Sequence, residues 1–242
     1  MINSIAEKQQ QFNAAMGKYE RIMVYPWVGH IVSFVNTSLQ ILLTVLALQK
    51  SIGALNQFIS FVVAFILADF VNGMVHMYMD NNDNYQSLAG PLIASFHLHH
   101  RTPKYTQKPI IEVYWHESGS KIWLALFVVA AVMLVYKRSV NDTTAYFFMY
   151  FAILSSVAEV SHYLCHIPAK SKIAGMLVKL RILMSPKYHL RHHMQDNSSY
   201  TFLNCVTDPV VDFIAKIMYK GYKNTTDLHY EYYVGMDTKN RS

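Results

Sequence analysis

Charge is scarce in this 242-residue sequence: Asp, Glu, Lys and Arg make up 15% of it, hydrophobic residues 52%, and the mean hydropathy is +0.15. Soluble domains carry about 25% charged residues, so the composition is that of a membrane protein. The net charge of +6 and pI near 9.1 do not make nucleic acid a partner. The basic residues are not interleaved in a charge-rich pattern, and attraction to anionic lipid headgroups accounts for them. Cysteine is also scarce. Cys165 and Cys205 stand far apart without CxxC spacing, which excludes a disulfide framework and a thiolate zinc site. A cleavable signal is missing too: Glu7, Lys8 and three glutamines occupy the place of its basic-then-apolar layout, so the first apolar run is expected to stay in the mature protein. No internal repeat, low-complexity segment or second soluble domain is visible.

Long apolar runs are present. A helix crossing a ~30 Å hydrocarbon core needs about 20 mostly apolar residues, and four stretches qualify: Trp27 to Leu48, Ile52 to Met79, Ser120 to Tyr136 and Ala145 to Cys165. The third is the shortest; Lys121 is expected to snorkel to the headgroups there, with Trp115 and Trp123 as interfacial anchors. The expected fold is all-α, a polytopic integral membrane protein of about four transmembrane helices. It divides into an N-terminal tail (1–26), a membrane domain (27–219) and a polar C-terminal tail (220–242). Lys and Arg number 3, 3 and 11 in the N-terminal tail, the central loop and the whole stretch after the fourth span (166–242), against 1 and 2 in the two short turns. The positive-inside tendency therefore places both termini and the central loop in the cytoplasm, in an inner membrane if the host is bacterial and in the endoplasmic reticulum if it is eukaryotic.

The 12 histidines are consistent with that topology, because their clusters fall on one side. In the second span Asp69, Asn72, Gly73, His76 and Asp80 share one helix face. Asp69 at membrane depth calls for a buried partner or a functional role. In the fourth span Glu159, His162 and His166 share a face, with Glu159 able to ligate or to orient a ring. The central loop brings His97, His99, His100, Glu112 and His116, and the stretch after the fourth span brings His189, His192 and His193. His30 and His229 stand alone and read as structural or solvated, and His97 alternates away from His99.

The candidate ligands are thus His76, Asp80, His99, His100, His116, His162, His166, His189, His192 and His193, with Asp69, Glu112 and Glu159 behind them. Nine histidines exceed what one tetrahedral ion takes, so two ions are expected. Imidazole suits zinc, copper and iron alike. The setting, a histidine site at the membrane edge facing lipid chains, favours redox chemistry that zinc does not provide. A non-enzymatic metal- or haem-handling protein is the alternative; it would carry ionisable groups along its spans, whereas here only Asp69 lies deep within them.

The order His76-x-x-x-Asp80, Phe96-x-x-His99-His100-x-x-Pro103, His162-x-x-x-His166 and Pro186-x-x-His189-x-x-His192-His193 with Tyr200 after it resembles the Kua/CarF-type lipid desaturases, the family of plasmanylethanolamine desaturase. More distantly it is similar to the membrane fatty acid desaturase and hydroxylase superfamily. The likeness runs from about Ile52 to Asp212. It departs at Lys108, where the family carries a histidine that His116 is placed to replace, and at Tyr188, where another histidine is missing. The resemblance implies two iron ions, dioxygen as co-substrate, a phospholipid substrate and an electron donor such as cytochrome b5 or ferredoxin. The reaction it implies is removal of two hydrogens from adjacent carbons, with a hydroxylase of the same superfamily as the nearest alternative. Lys104, Lys108, Lys187 and Arg191 are the residues available to hold the lipid phosphate.

Overall fold

The computed structural model describes residues 2–21, 24–101, 108–119, 121–167 and 172–233, and every regular element among them is helical. In chain order these are α1 (Ile2–Arg21), α2 (Val24–Leu48), α3 (Gly53–Asn81), α4 (Gly90–Arg101), α5 (Ile110–Ser118), α6 (Ile122–Tyr136), α7 (Asp142–His166), α8 (Lys172–Lys179), α9 (Pro186–Met194), α10 (Asp208–Met218) and a short 3-10 helix (Thr226–Tyr230). Three helices are long and apolar enough to cross a membrane: α2 from Trp27, α3 and α7. At 15 residues, α6 is only about 22 Å long. Its partner α5 meets it at 89°, and the pair makes a fourth span only if counted together.

The hairpin between α2 and α3 turns on Gly53, whose φ of +72° is open to glycine without strain. At the start of α7 the Asn141 side chain accepts the amide of Thr144 at 2.8 Å, an N-cap that ends the α6–α7 turn. The two turns meet at one end of the bundle: Lys50 Nζ lies 2.5 Å from Asp142 Oδ1, and the Tyr146 hydroxyl donates to Lys50 O at 2.9 Å. The histidines of α3 and α7 lie near the C-terminal ends of those helices, away from the turns. Small residues (Ala64, Ala68, Ala152, Ser155, Ala158) are buried where the spans pack, as close helix approach in lipid requires. Large apolar side chains such as Ile41, Leu55, Phe58 and Leu126 face outward and are more than half exposed.

The loop between α9 and α10 is pressed against α3 and α7, and Asp69 holds it there. Asp69 accepts from the amides of Asn204 (3.1 Å), Cys205 (3.4 Å) and Thr207 (3.0 Å) and from the Thr207 hydroxyl (2.6 Å). Gly73 permits the approach, because a Cβ there would sit 2.5 Å from Thr201 Cγ2.

Both expected tails are packed over their described parts, the first as α1 and the second as turns around the short 3-10 helix. Phe12, Ala15 and Met16 of α1 pack against Tyr85, Ile93, Ala94 and Leu98. Tyr222, Thr226, Asp227 and His229 are buried, with the His229 ring 2.8 Å from the Tyr85 hydroxyl. Lys121 does not snorkel. It is buried between α3 and α7, donating to Ser155 O (2.8 Å) and to Asn72 Oδ1 and pairing with Glu159 at 3.0 Å. Trp123 likewise turns inward against Phe151.

Candidate metal centres

Two groups of side chains converge at the ends of α3, α4, α7 and α9. Adjacent helical residues point about 100° apart, so the consecutive pair closing α4 divides: His99 enters one group and His100 the other. In α9, His189 and His193 share a face, four residues apart, and His192 turns away. The first group is His99, His162, His166 and His189, with His193 at its edge; the second is His76, Asp80, His100 and His192.

In the first group His189 Nε2 lies 3.1, 2.8 and 2.9 Å from the Nε2 atoms of His162, His166 and His193, and His162 Nε2 lies 3.1 Å from that of His99. A neutral imidazole carries one N–H, and one proton cannot serve three acceptors. Two nitrogens each ~2.1 Å from a shared ion at tetrahedral or right angles lie about 3.0–3.4 Å apart, near the spacing observed.

The second group makes the stronger case. The Asp80 carboxylate is fully buried, and neither oxygen has a hydrogen-bond partner; the same holds for His76 Nε2. Asp80 lies 3.4 Å from His76 Nε2, 3.4 Å from His100 Nε2 and 3.3 Å from His192 Nε2. A buried, unbonded carboxylate is costly unless a cation compensates it. The other ring nitrogens fix how these imidazoles face. His76 Nδ1 donates to Tyr200 O (2.7 Å) and His192 Nδ1 to Ser198 O (3.0 Å), while His100 Nδ1 donates to Asp227 Oδ1 (3.0 Å). A main-chain carbonyl has no proton to give, and neither has the Asp227 carboxylate paired with Lys223, so the N–H is on Nδ1 and the Nε2 lone pair faces the centre. Burial, and then the neighbouring imidazoles, hold His99, His100 and His189 well below the ordinary histidine range; burial takes His192 and His193 down to about 3. These rings are therefore neutral and able to ligate. Both donor sets fit a metal ion.

A largely apolar cavity of about 200 Å³ opens beside the centres. Met79, Leu92, Phe96, Trp123 and Phe202 line it, with His76 and Glu159 on its wall and Asn72 and Lys121 at its polar edge. Glu159 reaches from Lys121 (3.0 Å) toward His162 Nδ1 (3.7 Å).

Several expected site residues are placed elsewhere. His116 is on the surface of α5, its ring 5.4 Å from that of His30 and its Nε2 3.7 Å from Glu112; α5 packs on α2 and α7 and carries it away from both groups. Glu112 pairs with Lys108 at 3.1 Å and touches no ligand of either group. Asp69 serves the 204–207 turn. His97 is a buried structural residue, bonded to Met79 O (2.9 Å) and the Tyr85 hydroxyl (2.7 Å). Lys187 and Arg191 are exposed on α9, and Lys104 lies outside the described residues. Asp227 and Lys121 are residues of the site that the sequence does not single out. The i, i+4 pair Lys223–Asp227 is the only sequence signal for the first, and nothing marks the second.

A family model described as "Lipid desaturase domain" matches residues 65–219. No curated protein and no solved structure matches the chain. The matched stretch covers most of the chain and contains every residue of both groups, so this protein belongs to the lipid desaturase family.

Proposed function

We propose that the protein is a membrane-bound, di-iron, dioxygen-dependent desaturase acting on the alkyl or acyl chain of a phospholipid. Conversion of a 1-O-alkyl ether lipid to its vinyl ether is the preferred reaction, as the Kua/CarF likeness implies. The observation that carries this is the meeting of an apolar cavity with the second donor set at His76, with Glu159, next to His162 of the first set, on the same wall: a lipid chain lying against Phe96 and Phe202 would present its methylenes to that wall. When bound, iron would supply the redox chemistry needed to attack an unactivated C–H bond, which side chains alone lack. His99, His162, His166 and His189, with His193, would hold one ion, and His76, Asp80, His100 and His192 the other.

The protein's own contribution is binding, orientation and exclusion of water. Tyr200 O, Ser198 O and Asp227 fix the imidazoles before any ion arrives, so little reorganisation is required. Burial keeps His99, His100, His189, His192 and His193 unprotonated. In the overall balance two hydrogens leave adjacent carbons, and dioxygen takes them with two electrons from an external donor and two protons from solvent to give two waters and one double bond. A cytochrome b5 or ferredoxin type of donor, and a cytoplasmic-facing site, follow from the same likeness and from the charge distribution.

The test is metal analysis of detergent-purified protein beside a His162→Ala, His166→Ala variant, then incubation of the iron-loaded protein with an ether phospholipid, reductant and oxygen. About two irons per chain, reduced in the variant, with product lighter by about two daltons, supports the proposal. A product heavier by one oxygen makes the protein a hydroxylase; stoichiometric zinc that resists exchange overturns the redox reading.

A further inference from the structure

We propose that Asp227, outside the matched family region, is a positioning residue of the second metal centre, acting through His100. The proposal rests on reading the two groups as metal centres. Of the three imidazoles in the second group, His76 and His192 give their Nδ1–H to main-chain carbonyls, whereas His100 gives its own to a side-chain carboxylate, Asp227 Oδ1, at 3.0 Å. Orientation of that one ligand is therefore assigned to a removable group.

Asp227 is itself held. Its Oδ2 pairs with Lys223 Nζ at 3.0 Å, its amide donates to Tyr222 O at 2.9 Å, and its residue is 6% exposed. The segment around it is tied to both flanks of the centre. Thr226 Oγ1 donates to the main-chain oxygen of Asp80 (2.7 Å), and Arg101, next to His100, donates to Tyr230 O and Glu231 O at 2.6 Å each. The Tyr222 ring lies 4.8 Å from that of His100 and 5.3 Å from that of His192. Residues 222–231 thus form a strap across α3, α4 and α9, with a carboxylate facing inward at one ligand. A carboxylate behind a ligating imidazole fixes its tautomer and raises its basicity, and such partners are worth 10- to 100-fold in metal affinity.

The experiment uses the full-length protein in detergent, loaded anaerobically with Fe(II) and titrated with a competing chelator. Wild type is compared with Asp227→Asn, which keeps shape and an acceptor but not the charge, and with Asp227→Glu. The expected result is that one of two ions leaves Asp227→Asn at roughly 10- to 100-fold lower chelator activity. The other ion leaves as in wild type, the metal-free melting temperature is unchanged, and Asp227→Glu recovers part of the loss. Release of both ions as in wild type overturns the proposal. So does equal weakening of both ions with a lowered metal-free melting temperature, which would make the strap purely structural. The measurement needs no turnover: absence of desaturated product would count against the proposed function and leave the ion titration intact, whereas failure of wild type to bind iron would remove the premise itself.

Discussion

Substituting Gly73 by alanine should loosen metal binding even though Gly73 touches no ligand. The added Cβ would lie 2.5 Å from Thr201 Cγ2 and 3.3 Å from Thr201 Cα and Cβ. Carbon atoms prefer about 3.5–4.0 Å, so the loop has to retreat by roughly 1 Å, and overpacking of this kind costs about 1–3 kcal/mol. Thr201 adjoins Tyr200, whose carbonyl holds His76 Nδ1 at 2.7 Å. Moved by ~1 Å, that contact passes the ~3.5 Å beyond which no useful hydrogen bond remains. Loss of such an outer partner lowers metal affinity by about 10- to 100-fold. The assay is chelator competition on iron-loaded protein, with Gly73→Ala beside Gly73→Ala, Thr201→Ser. The serine removes the methyl at 2.5 Å and leaves only the 3.3 Å contacts, so the double variant should regain most of the affinity. Wild-type affinity in Gly73→Ala alone, or no recovery in the double variant, refutes the chain from Cβ to loop to His76.

Three further outcomes are expected. Lys121→Met strands the Glu159 carboxylate in the interior and should destabilise the protein by about 3–5 kcal/mol; adding Glu159→Gln should return much of that, as read by thermal unfolding in detergent. Asp69→Ala leaves the amides of Asn204, Cys205 and Thr207 without their acceptor, at about 1–3 kcal/mol for each orphaned donor. It should therefore yield protein that fails to elute as a single species on size exclusion, with Asp69→Asn milder. His99→Ala and His100→Ala, one residue apart, should each lose a different ion; retained metal measured with each variant combined with Asp80→Ala would show it, since His100→Ala and Asp80→Ala should not be additive.

The pairs His76–Asp80 and His162–His166 are legible because each lies on one helix, where a spacing of four residues alone fixes a shared face. So are the three long spans, for which length and apolarity are local properties. The bend between α5 and α6 is not legible, because an apolar run of 15 residues looks the same whether it crosses a bilayer alone or follows a perpendicular helix. Lys121 misleads for a related reason: a lysine at the edge of an apolar run is ordinarily a headgroup anchor, and its partners Asn72, Ser155 and Glu159 come from two other helices. The role of Asp69 depends on a turn 135 residues later, and that of Asp227 on a segment whose polar composition resembles solvated chain. The division of His99 from His100 is implicit in helical geometry, but which group receives which ring is decided by the packing of α4 against α1, α3 and the 3-10 helix.

The ligands are scattered from His76 to His193, with Asp227 behind them, and this dictates an order of assembly. While the chain is being synthesised, completion of α3 and α4 offers His76, Asp80, His99 and His100, and α7 adds His162 and His166. On the proposed two-ion reading, neither ion would find its full set of donors until α9 had emerged and docked. The metals would then be latecomers that lock an already assembled bundle, rather than nuclei around which it forms.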